Sequence, residues 1–291
     1  MPMPAVEEVR FASDELEVVV LPGLGCRLHR LRAFGTDLLR TPPDPAAHAD
    51  DPFFWGAYVM APWTNRATAT PMVVADRTVD LPANFPDGTA IHGQVFLAPW
   101  RRTDAGGFAV EREGAGWPWA YSVTADVSVV GASLRLRYRL HNASDAPMPA
   151  GIGLHPWWVR PVEVTLAARA VHPRNGEVAA EHVEATGSWA LDGRRPRGGL
   201  DATWLDIGPA EVRLGWPEAG MSATLRMRTD GEGPHVAVAT PEEPNAVAVE
   251  PVTHLPWALD RRARHLGGGI RLLEPGRSLL LELELAVRRA R

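Results

Sequence analysis

Four short segments of this 291-residue chain concentrate side chains able to move protons or hold polar ligands. They are Pro62-Trp63-Thr64-Asn65-Arg66, Ile91-His92-Gly93, Gly153-Leu154-His155-Pro156-Trp157-Trp158 and Val249-Glu250-Pro251-Val252-Thr253-His254. Each sets rare polar groups among turn-forming or apolar neighbours, as functional loops do. Imidazoles and carboxylates are the usual general acids and bases, so His92, His155 and Glu250 are candidates for proton transfer. Each segment also has a plainer reading. His92 before Gly93 suits a turn, His155 before Pro156 suits a satisfied interior imidazole, and Arg66 suits a surface ion pair. Glu250 ends the run Ala246-Val247-Ala248-Val249, where a carboxylate is either paired or pushed to an unusual pKa. The segments lie far apart in sequence, so only the fold can make one site of them. His92, His155, His254 and Glu250 could also ligate a transition metal, but no tight His spacing supports this, and no metal or cofactor is expected.

Eleven tryptophans add a second signal. Trp63, Trp157 and Trp257 flank the polar segments, where indole faces could pack on the C–H face of a pyranose. A nucleobase would use the same rings, but the net charge of −5, with no basic stripe, argues against nucleic acid and against anionic membranes.

Alternation punctuated by turns dominates the elements that must position these residues. Residues 15–21 read as a strand, Pro22-Gly23-Leu24-Gly25 as a turn, and 27–34 as the returning partner. Residues 121–130 and 132–141 alternate about Gly131 and predict a hairpin. Residues 278–287 alternate Leu against Glu, predicting a strand with one wet face. A short helix is predicted over 257–264, and 42–52 and 187–199 read as excursion loops. With 27 Pro and 27 Gly spread along the chain and no shift in composition, the prediction is all-β: one large antiparallel β-sandwich domain over 1–291.

All 30 basic side chains are arginine, which removes Schiff-base, pyridoxal-phosphate and P-loop lysine chemistry. Cys26 is the only cysteine, so it forms no intrachain disulfide and reads as a small packing residue. The first residues lack the apolar core of a signal peptide and no run approaches a membrane span, so a cytoplasmic protein, monomer or homodimer, is expected. Asn142-Ala143-Ser144 matches a glycosylation sequon by chance.

In this order, Asn65-Arg66, His92-Gly93, His155-Pro156-Trp157-Trp158 and Glu250-Pro251-Val252-Thr253-His254 resemble the marker positions of the aldose 1-epimerase (mutarotase) family. Residues 15–39, with their Pro-Gly-x-Gly turn, resemble its first strands, and 273–285 its last. The resemblance implies a galactose mutarotase-type β-sandwich, a small-molecule sugar as partner, Glu250 as general base and His155 as general acid. It implies substrate binding by His92, Arg66 and Asp201, with Asp206 the alternative for the aspartate, and support from Asn65. Trp157 is added as a sugar-facing ring. Gln94 stands where many members carry a second glycine. Pro156-Trp157-Trp158 places the chain nearer a His-Pro-aromatic branch, which leaves the sugar open.

This chemistry suits the residue types. Opening a cyclic hemiacetal needs the anomeric O1–H proton removed while the ring oxygen is protonated. Burial would raise the glutamate, and a neighbouring carboxylate would keep the histidine charged. Two rivals share the fold. One is a hexose-6-phosphate 1-epimerase using Arg101-Arg102 or Arg194-Arg195 with Arg197. The other is a non-catalytic sugar-binding protein.

Overall fold

The computed structural model describes residues 6–173, 178, 181–267 and 270–289. Alternating sequence becomes alternating burial. In Trp117–Val130, Ser133–Asn142 and Ser278–Arg289 nearly every second side chain is buried and the others face out. These strands pair antiparallel at the centre of a nine-stranded sheet that has one wet face. The predicted turn at Gly131 is present, with φ of 53°.

The second sheet has eleven strands among the described residues, and its centre reads differently. Its order runs from Val9–Ala12 through Leu16–Leu21, Arg27–Ala33, Ala57–Met60, Gly153–Val159, Ala246–Val252, His235–Ala239 and Asp201–Ile207 to Ala168–His172 and Val183–Glu184. Strand Ala246–Val252 is buried throughout, and Gly153–Val159 up to its last residue. One face of this sheet supplies Leu154, Trp158, Val247 and Val249 to the core between the sheets. The other face gathers Tyr58, Met60, Trp157, Ala246, Ala248 and Val252 with Phe96 into a separate cluster. An antiparallel strand buried on both faces needs something other than the partner sheet to cover it. Here the covering segments carry the polar residues named above.

The predicted helix forms as Ala258–Ala263, entered through left-handed Trp257. Two expected loops hold regular structure instead. Ala47–Asp50 is a helical turn within 42–52. Within 187–199, Leu191–Arg194 pairs with Glu163–Leu166 as an edge strand, mostly exposed and therefore without the apolar alternation that marks a strand in sequence. No helix among the described residues is long and apolar enough to cross a membrane.

Candidate active site

Strand register assembles the site. Gly153 pairs with Val252 and Trp157 with Ala248, which puts His155 opposite Glu250. On the other side His155 pairs with Tyr58, and Glu250 pairs with Ala237. Tyr58, His155 and Glu250 thus form one row across three strands, pointing away from the sandwich core. Nε2 of His155 lies 3.3 Å from Oε1 of Glu250, with both side chains about 5% exposed. The His155 ring stacks on Tyr58 at 4.7 Å and 23°, meets His92 edge-on at 5.0 Å and packs 4.9 Å from Trp157.

Two loops complete the wall. Arg66–Ala67 pairs with Ala90–Ile91, and the His92 amide donates to the Asn65 carbonyl at 3.0 Å. Asn65 and His92 both take left-handed backbone, φ 54° and 64°, uncommon for non-glycine residues and frequent at functional sites. Oδ1 of Asn65 accepts from the Arg66 amide at 2.8 Å. The Arg66 guanidinium bridges two carboxylates, donating from Nε to Asp87 at 2.8 Å and reaching Asp201 at 3.3 Å. Asp201 therefore stands at the site, whereas Asp206 lines a separate surface hollow with Ala168 and Gly208. His254 is a structural member. Its Nδ1–H donates to the Leu255 carbonyl at 2.7 Å, leaving Nε2 to accept from the Thr64 amide at 3.0 Å. That bond anchors the loop that presents Asn65 and Arg66.

Burial dominates the electrostatics. It raises Glu250 well above the usual carboxylate range, helped by Asp201 and opposed by Arg66. It lowers His155 to about 3 and His92 well below the usual imidazole value. The direction is thus opposite to the one expected from a neighbouring carboxylate, because desolvation disfavours the imidazolium. Against the burial that would raise it, hydrogen bonds from Thr89 and Arg66 hold Asp87 below its ordinary value.

Several expectations from the sequence fail. Trp63 stacks on Trp117 at 5.4 Å in the core between the sheets, not over the site. Four of the five arginines considered for phosphate have other partners. Arg101 pairs with Glu111, Arg194 with Asp192 and Arg195 with Glu218, while Arg197 lies over Trp189. Conversely Tyr58, Asp87, Phe53 and Phe54 belong to the site and carry no motif. The Phe53-Phe54-Trp55 run is a visible trace of the two phenylalanines alone. Phe53 packs against His92, Phe85 and Phe96, and Phe54 against Trp157.

The architecture is shared with solved structures. A candidate aldose 1-epimerase from Escherichia coli K12 matches with a TM-score of 0.82 at 19% identity, covering 98% of this chain and 100% of that one. A galactose mutarotase-like protein from Clostridium acetobutylicum gives 0.80 at 16%, covering 98% and 96%. An aldose epimerase homologue from C. elegans gives 0.79 at 15%, covering 99% and 100%. These likenesses define the fold as the galactose mutarotase-like β-sandwich. None of the curated protein sequences matches the chain. The aldose 1-epimerase family model matches residues 7–279, and the chain belongs to that family.

Proposed function

We propose that the protein is a cofactor-independent aldose 1-epimerase, interconverting the α and β anomers of a free aldose. The observation that carries this reading is the buried 3.3 Å contact between His155 Nε2 and Glu250 Oε1. With the proton on Nε2, the Glu250 carboxylate takes the O1–H proton and His155 gives its own to the ring oxygen as the C1–O5 bond breaks. The open aldehyde turns about C1–C2 and recloses on its other face with the two roles exchanged. The pair ends with the one proton it began with, so no external acid or base is consumed. Arg66, held by Asp87 and Asp201, orients the sugar together with His92. Trp157 forms an apolar wall, and Asn65 holds the Arg66 loop.

The sugar is sought by polarimetry on freshly dissolved α-glucose and α-galactose, then glucose 6-phosphate and less common aldoses. Acceleration above the spontaneous rate with one of them supports the enzyme. Binding of a sugar without acceleration of any would support a binding protein instead.

A further inference from the structure

Behind the acid–base pair lies a buried cation with no carboxylate partner within 4 Å among the described residues. Arg27, on strand Arg27–Ala33, is 1% exposed. Its guanidinium donates to the carbonyls of Pro52 at 2.7 Å and Trp55 at 3.1 Å, and lies 3.4 Å from Nδ1 of His48. Burial, then Arg27 and His29, keep His48 neutral, so all three partners are uncharged. A buried, unneutralised charge is costly, which points to a role beyond packing. The guanidinium carbon also sits 4.8 Å from the centre of the Tyr58 ring, a cation–π distance. Sheet order places the Tyr58 strand between those of Arg27 and His155. The phenol ring therefore separates the guanidinium from the imidazole stacked on it.

We infer that Arg27 and Tyr58 are positioning residues for His155: the stacked ring holds the imidazole plane with Nε2 towards Glu250, and the guanidinium charge behind it makes the imidazolium release its proton readily to the sugar ring oxygen. This rests on the acid–base reading above. The groups facing His155 are Glu250 from one neighbouring strand, Tyr58 from the other, and His92 from the covering loop. His92 is kept neutral by burial, and Arg66 beyond it is held by Asp87 and Asp201. Arg27, whose charge also interacts with Asp51 and Tyr58, is left as the fixed cation on this side. Burial is the main cause of the lowered His155, and Arg27 adds to it.

The test compares Arg27→Gln, Arg27→Lys and Tyr58→Leu in the full chain. One readout is an NMR titration of the His155 imidazole in the sugar-free protein, and the other is kcat and KM for anomer exchange across pH. Arg27→Gln is expected to move the His155 titration, and the acid limb of kcat, upward by on the order of one pH unit. Arg27→Lys keeps the charge and is expected to leave both in place. Tyr58→Leu loses the stack and is expected to lower kcat about tenfold with KM little changed. Superimposable titrations of the parent and Arg27→Gln would overturn the electrostatic role. An unchanged kcat in Tyr58→Leu would overturn the positioning role. Should Arg27→Gln not fold, Arg27→Met removes the same charge and is read the same way: an upward shift supports the electrostatic role and a titration superimposable on the parent's overturns it. If the parent accelerates no sugar, the enzyme reading fails while the NMR titration still decides the effect of Arg27.

Discussion

Gly93→Ala should cost far more than an ordinary surface change, because two separate constraints meet at this residue. Its φ is +74°, where an alanine is disfavoured by about 1–2 kcal/mol. A Cβ there would stand 2.0 Å from the carbonyl oxygen and 2.3 Å from the carbonyl carbon of Ala61. Both atoms are backbone, so neither can swing aside. Relief requires opening the Ala61–Gly93 bridge and its hydrogen bond from the Gln94 amide to the Ala61 carbonyl, for about 1 kcal/mol more. The expected loss is about 2–3 kcal/mol, read from urea denaturation. Gly35→Ala is the control, since its φ is +85° but its Cβ would meet nothing within 4 Å. It should lose only the conformational share, about 1–2 kcal/mol. Sugar turnover should fall in Gly93→Ala alone, because the same backbone carries His92. Equal losses in the two variants would refute the reasoning.

Acidification should destabilise the protein before most carboxylates titrate. Burial lowers His155 to about 3, His235 and His254 to about 4, and His48 as well, from an ordinary value of 6.5. A depressed folded pKa gives stability that is present above 6.5 and lost as pH falls through the folded value, so the thermal midpoint should drop between pH 6.5 and about 4. The raised Glu250 works in the opposite sense, its contribution being present below the ordinary value and lost as pH rises. His254→Gln should flatten the acid slope, and a slope equal to the parent's would count against this account. Asn142→Ala should cost about 2 kcal/mol in chemical denaturation, because its buried amide donates to the carbonyls of Ala146 and Leu273. A loss under about 0.5 kcal/mol, ordinary for a surface change, would show those bonds to be dispensable. Arg66→Lys cannot span Asp87 and Asp201 as a fork does and should raise KM more than it lowers kcat. An unchanged KM would remove Arg66 from sugar binding.

Elements with a local signal were legible in the sequence. The hairpin about Gly131, the strand Ser278–Arg289 and the helix Ala258–Ala263 follow from periodicity and turn residues alone. His155 was legible as an imidazole between an apolar run and Pro156, and Glu250 as a carboxylate closing an apolar run. Their adjacency was not, because it depends on pairing residues 95 positions apart through the Gly153–Val252 register. Tyr58 sits in Ala57–Met60, a wholly buried strand whose sequence does not say which face looks into the core. Trp63 misled for the same reason, since flanking a polar segment says nothing about where the ring points. The downward shift of His155 was not legible, because sequence shows a carboxylate's presence and hides the burial that disfavours the imidazolium.

The central claim is that Glu250 and His155 exchange protons with a bound aldose, and its most direct test is NMR measurement of α–β exchange in parent and Glu250→Gln. Glutamine keeps the shape and a hydrogen bond to His155 while removing the base. If the parent accelerates exchange, the account predicts that Glu250→Gln loses about 10²–10⁴-fold in kcat while sugar still binds and the fold is kept. A folded Glu250→Gln protein exchanging anomers at the parent's rate would contradict it.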